Sequence, residues 1–477
     1  MGKYLYGISV QGIQEYIFAT NELKSIIGAS QVIGNINQRF NDEKYKEHVV
    51  INAAGNIKLL FNTKEEFAEL VKETLKEIKQ NAFGITVSQA VHCFEDGDLK
   101  NAFNALERKL AISRNQPEIP IDSSINLLKL APKSAKPLVE NDKDMATIQK
   151  EAQYRYDQAF GSIGNIKNRK NKIAIIHADG NQLGAKIAAM SKELKDDEEV
   201  RRTYRDFSEK LDTATREAVE AAKESLPDIK LREVILGGDD LTVICDANHA
   251  LEFTNRFLAL FEERTKKLLG GDGLTACAGI AYCNHKYPFH YAVDLAESLC
   301  KEAKTHSRNI DVLLPPSSIM FHNIQSSNFT SYEDYKDTEL TINRDDDRVR
   351  LNYGPYFIHA QKAYAKVEDF RNLANALNVK GSPLSRLREW LTILGESRKA
   401  ADMRLERINQ MMELKNKLYN KDALNNALQR FNSELSVENL LYRRGEELYT
   451  PIYDITSYLS VIDEGKKRVQ EDAQHEV

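Results

Sequence analysis

Leu231–Asp246, LREVILGGDDLTVICD, holds the densest chemistry in the chain. Two runs rich in β-branched and aliphatic residues, Val234–Leu236 and Leu241–Ile244, flank Gly237-Gly238-Asp239-Asp240, a pattern that predicts a β-hairpin with an acidic tip. Gly237 and Gly238 remove side chains where the backbone turns and where a phosphate must come close. Asp239 and Asp240 then supply hard oxygen ligands for a divalent metal. A Gly-Gly-Asp turn also occurs on ordinary surfaces, so the tetrad needs a partner before it implies chemistry.

Lys172–Lys186, KIAIIHADGNQLGAK, offers that partner. Ile173–Ala178 reads as a short buried strand that ends in Asp179-Gly180-Asn181, after which helix formers resume. If the two strands are neighbours in one sheet, Asp179 joins Asp239. The free amides of Gly180, Asn181, Gln182 and Leu183, opening a helix, then hold a triphosphate. Three carboxylates beside an amide cradle make a two-metal nucleotidyl-transfer site, with Asp179, Asp239 and Asp240 as catalytic groups and as ligands of Mg²⁺ or Mn²⁺. His177, on the same strand, is expected to be a packed or hydrogen-bonded histidine rather than a base.

The elements that must position these groups are legible as two copies of one plan. In the first unit, residues 1–112, strand Tyr4–Val10 precedes a largely helical Gly12–Phe40. A hairpin of His48–Ala53 and Ile57–Phe61, helix Lys64–Lys79, strand Ile85–Phe94 and helix Leu99–Ile112 follow. The order β-α-β-β-α-β is ferredoxin-like. Residues 113–170, with the Pro-rich QPEIPIDSS and the basic tract Lys167–Lys172, read as a partly helical linker. In residues 171–323 the plan recurs around the acidic hairpin, with helix Ala250–Leu268, strand Leu274–Tyr282 and helix Tyr291–Lys304. Aligning AAGNIKLL with LGGDDLTV, and VQGI with ADGN, sets Gln11, Asn56 and Ile57 against Asp179, Asp239 and Asp240. The first copy therefore cannot hold the metals and is expected to be structural or nucleotide-holding. Residues 324–477 open with a loop and edge hairpin and continue as a helical C-terminal bundle, its Leu, Ile and Met stripes being core. The fold class is α+β.

Composition limits the alternatives. With 477 residues, 42% hydrophobic and 29% charged, the chain has the makings of several packed cores. No apolar run approaches the ~20 residues of a membrane helix, and the opening MGKYLYGIS is neither a secretory nor a myristoylation signal, so a cytoplasmic location without membrane contact is expected. A formal net charge of −5 argues that any nucleic-acid contact is local or comes through partner subunits. Cys93, Cys245, Cys277, Cys283 and Cys300 form no C-x-x-C pair, which argues against a zinc ribbon or a disulfide framework.

The pairing of DGNQLG with GGDD resembles the large, polymerase-like subunit of type III CRISPR effector complexes. GISVQGIQEYIFATNELKSIIGAS is similar to that family's opening strand and helix, AAGNIKLLF to its first hairpin, RLNYGPYFI to its proline-tyrosine segment and LYTPIYDI to its tail. The resemblance implies an ATP-using cyclase that joins AMP units by 3′–5′ bonds into cyclic oligoadenylates, usually when target RNA is bound, working with RNA-guided subunits and crRNA or, if stand-alone, as a homodimer. It also implies Asp179, Asp239 and Asp240 as metal ligands shaped by Gly237 and Gly238, and Ser208 near the base. Lys301 and Lys304 are implied as triphosphate contacts, and Ser30 as facing a second nucleotide. The family often begins with an HD nuclease domain. This chain starts at the first palm and has no His-Asp dipeptide, so DNA cleavage is not expected of it.

Other readings stay open. Lys301 and Lys304 sit late in a helix, where cations also favour the dipole, and Ser208 also fits a plain surface serine. A guanine-nucleotide cyclase of the GGDEF kind would use a similar hairpin, although Asp240-Leu241 replaces its Glu-Phe. A non-catalytic scaffold is disfavoured by the intact carboxylates.

Overall fold

The computed structural model describes residues 2–18, 23–40, 43–53, 55–82, 85–115, 165–193, 196–325, 331–344, 347–414 and 421–463. The Pro-rich segment and most of the expected linker lie outside them.

In the first unit β1 (Lys3–Gln11) is the centre of a four-stranded antiparallel sheet in the order β2-β3-β1-β4, with β2 at Val49–Ala53, β3 at Asn56–Phe61 and β4 at Thr86–Phe94. Alternation along β1 sends Tyr6, Ile8 and Val10 to one face, where they share a core with Ile26, Ile27 and Ile33 of α2 (Leu23–Arg39) and with Leu70 and Ile78 of α4 (Lys64–Asn81). Two short helices, α1 (Ile13–Ile17) and α3 (Glu43–Lys46), flank α2. Leu5, on the other face, packs with Leu99, Phe103, Leu106 and Leu110 of α5 (Leu99–Arg114). An added Cβ at Gly7 would lie 3.0 Å from both Leu106 Cδ2 and Leu110 Cδ1, so α5 rides directly on the strand.

The same order recurs as β8-β5-β7-β6, formed by β5 (Lys172–Gly180), β6 (Leu231–Gly237), β7 (Asp240–Asp246) and β8 (Ala276–Asn284). The helices of this unit are α6 (Leu183–Glu193), α7 (Asp197–Glu224), α8 (Ala250–Leu269) and α9 (Phe289–Ile310). β5 pairs antiparallel with both β7 and β8, which makes it a central strand, buried on both faces, and explains its unbroken apolar run. At Gly279 a Cβ would come within 1.9 Å of the Ala296 carbonyl, so only glycine lets α9 seat against β8 at this depth. That contact fixes where the later turns of α9 reach the strand ends. The sheet continues past the expected four strands: β9 (Ser318–Asn323) runs parallel to β8, and β12 (Tyr356–Phe357) pairs with β9.

The two units are tied through α7. Asp197 accepts the N–H groups of Gly97 at 2.7 Å and Leu99 at 2.9 Å, and the rings of Phe103 and Tyr204 meet edge to face at 4.7 Å.

The C-terminal region departs from a purely helical bundle. Helices α11 (Val367–Leu377), α12 (Leu384–Glu396), α13 (Arg398–Leu414), α14 (Lys421–Phe431) and α15 (Ile452–Val461) carry the expected apolar stripes, and α10 (Tyr332–Thr338) precedes them. A four-stranded sheet, β10-β11-β14-β13, is built into the region. There the expected edge hairpin, β10 (Thr341–Arg344) with β11 (Asp347–Arg350), gains a parallel partner in β14 (Glu447–Tyr449), which pairs in turn with β13 (Tyr442–Arg444). Local periodicity does not reveal such a pairing, because Val349 meets Leu448 across a long stretch of chain and the strands are very short. What stabilises strands of this length is the neighbour and not the local sequence.

Candidate active site

β5 ends at the site because its pairing with β7 runs through His177↔Thr242 and Ala178↔Leu241, one step short of Asp179 and Asp240. Gly237 pairs with Asp240 across a two-residue loop in which Gly238 has φ of +62°. A positive φ at the first loop residue alone is the type II′ arrangement, which favours glycine there. The result is that one carboxylate oxygen each from Asp179, Asp239 and Asp240 lies within 4.8 Å of the others. Gly180 makes room for this, because an added Cβ would stand 2.7 Å from Asp239 Oδ2 and 2.8 Å from Asp239 Cβ.

Burial, and after it the charge of Asp179, pushes Asp239 up to about 6. Asp240 is held well above the usual carboxylate range by burial and by the charges of Asp239 and Asp179. Unbalanced negative charge on hard oxygen donors is what a divalent cation requires, so the three residues fit Mg²⁺ or Mn²⁺. The balancing cation in the structure is Lys304, which ion-pairs with Asp179 and donates to the Gly180 carbonyl at 2.7 Å. Glu297, earlier on α9, is raised to about 7 by burial and Asp294, and its charge acts on Asp240. Burial lowers His177 to about 4, and its Nδ1 lies 3.2 Å from Thr242 Oγ1, so it is a packed neutral ring as expected.

A cleft of about 520 Å³ opens beside the triad. Its second-palm wall includes Leu183, Ser208, Leu211, Gly238 and Asp239; its first-palm wall includes Ile51, Asn56, Lys58, Phe103 and Glu107. Ser208 therefore reaches the cleft beside the acidic turn. Lys58, 6% exposed, ion-pairs with Glu107 and lies 5.4 Å from the centroid of the Phe103 ring.

Other expectations need correction. The amide of Asn181 donates to the Thr275 carbonyl at 2.8 Å, and its side chain is buried with Nδ2 3.0 Å from Thr275 Oγ1 and 3.2 Å from the Pro315 carbonyl. Asn181 thus anchors the loop instead of offering its amide to a phosphate. Gln182 adopts φ of +58° and donates its side chain to the Val312 carbonyl, which leaves Leu183 to begin the helix. Lys301 is exposed, one turn from Lys304, while Lys304 alone of the pair ion-pairs with Asp179. Ser30 donates its hydroxyl to the Val234 carbonyl of β6, so its proton is spent on contact between the palms and not on the cleft.

The faint repeat also shifts. The hairpin turns align Ala53↔Asn56 with Gly237↔Asp240. Ser9 and Asn56, which pair across β1 and β3, then take the places of Asp179 and Asp240, and Gly55 that of Asp239. The first copy still lacks carboxylates at all three places, as expected, but through different residues.

Comparison with known proteins agrees with this geometry. Residues 172–310 match the family model for the second palm domain of Cas10/Cmr2. No curated protein matches the chain by sequence. Among solved structures, a Csm1-Csm4 cassette in complex with cA4 aligns at 14% identity and TM-score 0.53 over 97% of this chain and 70% of that chain. The cassette in complex with pppApApA aligns at 13% and 0.55 over 97% and 69%. The cassette with AMPPNP aligns at 13% and 0.53 over 96% and 69%. Against the apo cassette, the chain spans about half of the matched chain, 53%, at 15% identity and TM-score 0.46 over 66% of its own length. No described helix is long and apolar enough to cross a membrane. Residues 172–310 are thus similar to a Cas10/Cmr2 second palm domain, and the chain as a whole shares the fold of the Csm1-Csm4 cassettes.

Proposed function

We propose that this chain is a nucleotidyltransferase that joins AMP units from ATP into cyclic oligoadenylates, and that it does so within an RNA-guided effector assembly. The observation that carries the reading is the convergence of Asp179, Asp239 and Asp240 beside a cleft walled by both palms. The likeness to cassettes solved with cA4 and AMPPNP adds support for an adenine nucleotide, and their pairing of Csm1 with Csm4 for subunit partners.

The chemistry divides among this chain's residues. The apolar part of the cleft takes the base and ribose, with Ser208 on its wall. Lys304, already beside Asp179, meets the triphosphate as a point charge. Asp179, Asp239 and Asp240 hold the metal, and Gly237 and Gly238 keep side chains away from the phosphates. When bound, Mg²⁺ or Mn²⁺ supplies Lewis acidity toward a ribose hydroxyl and countercharge for the triphosphate. A ribose 3′-oxygen attacks the α-phosphorus, a 3′–5′ phosphodiester forms, pyrophosphate leaves in line and the hydroxyl proton passes to solvent. The first palm, which carries Ser9, Gly55 and Asn56 instead of carboxylates at the three equivalent positions, holds the acceptor nucleotide.

The test is to incubate the purified protein with each labelled nucleoside triphosphate and Mn²⁺, alone and with candidate RNA, beside Asp239→Ala/Asp240→Ala. Cyclic products from ATP that vanish in the double variant support the reading. No consumption of any triphosphate under any activator defeats it.

A further inference from the structure

Helix α7 grips the acidic turn from behind. Thr215, fully buried, lies 2.6 Å from the Gly238 carbonyl and 3.0 Å from the carbonyl of Leu211, and its single hydroxyl proton favours the shorter contact. One turn earlier, Asp212 Oδ1 accepts the N–H of Gly238 at 3.2 Å. That carboxylate is itself held by Arg216, with Nε 2.7 Å from Oδ2 and Nη2 3.3 Å from Oδ1. The same guanidinium donates to the Leu236 carbonyl at 3.2 Å. Both backbone polar groups of Gly238, the residue before Asp239, are therefore bound to one helix. The loop of a two-residue hairpin has no such constraint from its own strands.

Along α7, Ser208, Asp212 and Thr215 are spaced four and three residues apart, which puts them on one face. That face meets the cleft at Ser208 and the turn at Asp212 and Thr215. The helix thereby links the nucleotide wall to the metal ligands through side-chain hydrogen bonds.

We propose that Thr215 and Asp212 are positioning residues for phosphoryl transfer, setting Asp239 and Asp240 against Asp179 and against a nucleotide lying over Ser208. The proposal rests on the nucleotidyl-transfer reading above. Neither residue touches substrate or metal; each acts through the backbone of Gly238.

The experiment compares wild type with Thr215→Val, Thr215→Ser, Asp212→Ala and Asp212→Asn. ATP turnover with Mn²⁺ gives kcat and KM, and Mn²⁺ alone, titrated by electron paramagnetic resonance, reports the ligands without nucleotide. Thr215→Val keeps shape and loses the hydroxyl. Its kcat and Mn²⁺ affinity are expected to fall about 10- to 100-fold, the usual range for an outer-shell partner, with KM for ATP little changed. Thr215→Ser and Asp212→Asn, which keep the donor and the acceptor, are expected to retain most of both. Wild-type kcat and Mn²⁺ affinity in Thr215→Val overturn the proposal, as does equal loss in Thr215→Ser. If Thr215→Val does not fold, Asp212→Ala, whose side chain is partly solvent-exposed, decides by the same two readouts. If the wild type turns over no nucleotide, the function reading fails separately, and the Mn²⁺ titrations still decide whether these residues set the ligands.

Discussion

Lys304 donates to the carbonyl of Gly180 at 2.7 Å while its ammonium pairs with the carboxylate of Asp179, so one cation holds both the side chain and the backbone at the end of β5. Its side chain is only 13% exposed, so the pairing is shielded from water and salt. Replacing it with Met removes the triad's one paired cation among the described residues and the proposed phosphate contact together. Lys304→Met is expected to raise KM for ATP about 10- to 100-fold, as a lost charge-assisted hydrogen bond of roughly 1.5–3 kcal/mol implies. It is also expected to lower Tm in the absence of metal. An unchanged KM in steady-state assays would remove Lys304 from the triphosphate.

The acidic turn makes stability and metal binding respond to pH in opposite directions. Asp239 is raised from 3.8 to about 6, first by burial and then by Asp179, and Asp240 moves the same way. The native protein holds these protons where the unfolded chain has released them, so metal-free stability falls as pH rises from about 4 through about 6. Divalent binding needs the carboxylates ionised, so Mn²⁺ affinity rises over the same window. Asp239→Asn removes one of the raised groups. Without metal its Tm is expected to fall less than that of wild type between pH 5 and pH 7.5, and it loses the Mn²⁺-induced rise. Parallel melting profiles for the two proteins would contradict the electrostatic origin of the shift.

Gly180 offers a cleaner steric test. Its role is space and not a left-handed turn: a methyl group there meets Asp239 Oδ2 at 2.7 Å. Gly180→Ala must push the aspartate aside, and displacement of a metal ligand by about an ångström costs roughly 100-fold in rate. Turnover and Mn²⁺ affinity should both collapse in a protein whose circular dichroism and Tm stay close to wild type. Retained activity would mean that Asp239 is free to take another position without loss.

How far the site was legible in sequence follows from the range of the interactions involved. The strand ending in Asp179 and the Gly-Gly-Asp-Asp hairpin are local patterns, and their approach follows once β5 and β7 are neighbours. The ferredoxin-like order of each palm came from alternation and turn residues inside that palm's own stretch of chain. What stayed hidden depends on tertiary register. Asn181 reads like a phosphate-loop residue until Thr275 and Pro315 accept its backbone and side-chain N–H groups. Ser30 reads like a cleft residue until β6 supplies Val234. Thr215 and Asp212 had one available signal: they share a helical face with Ser208, three and four residues apart. Lys58 and Glu107 had none, because their pairing crosses from β3 to α5.

Asp197 carries the last test, which separates the cleft from the metals. Its carboxylate accepts from Gly97 and Leu99, at the opening of α5, where Asp98 itself makes no side-chain cap. The second palm thus caps a helix of the first. That helix supplies Phe103 and Glu107 to the cleft, and Phe103 rests edge-on against Tyr204 of α7. Asp197→Ala leaves these amides without their acceptor and costs about 1 kcal/mol, as loss of a helix cap does. It also loosens the first-palm wall without touching Asp179, Asp239 or Asp240. KM for ATP should therefore rise several-fold while kcat at saturation and Mn²⁺ affinity stay near wild type. If kcat falls and KM does not, the first palm acts on the chemical step itself and the division of labour between the palms has to be redrawn.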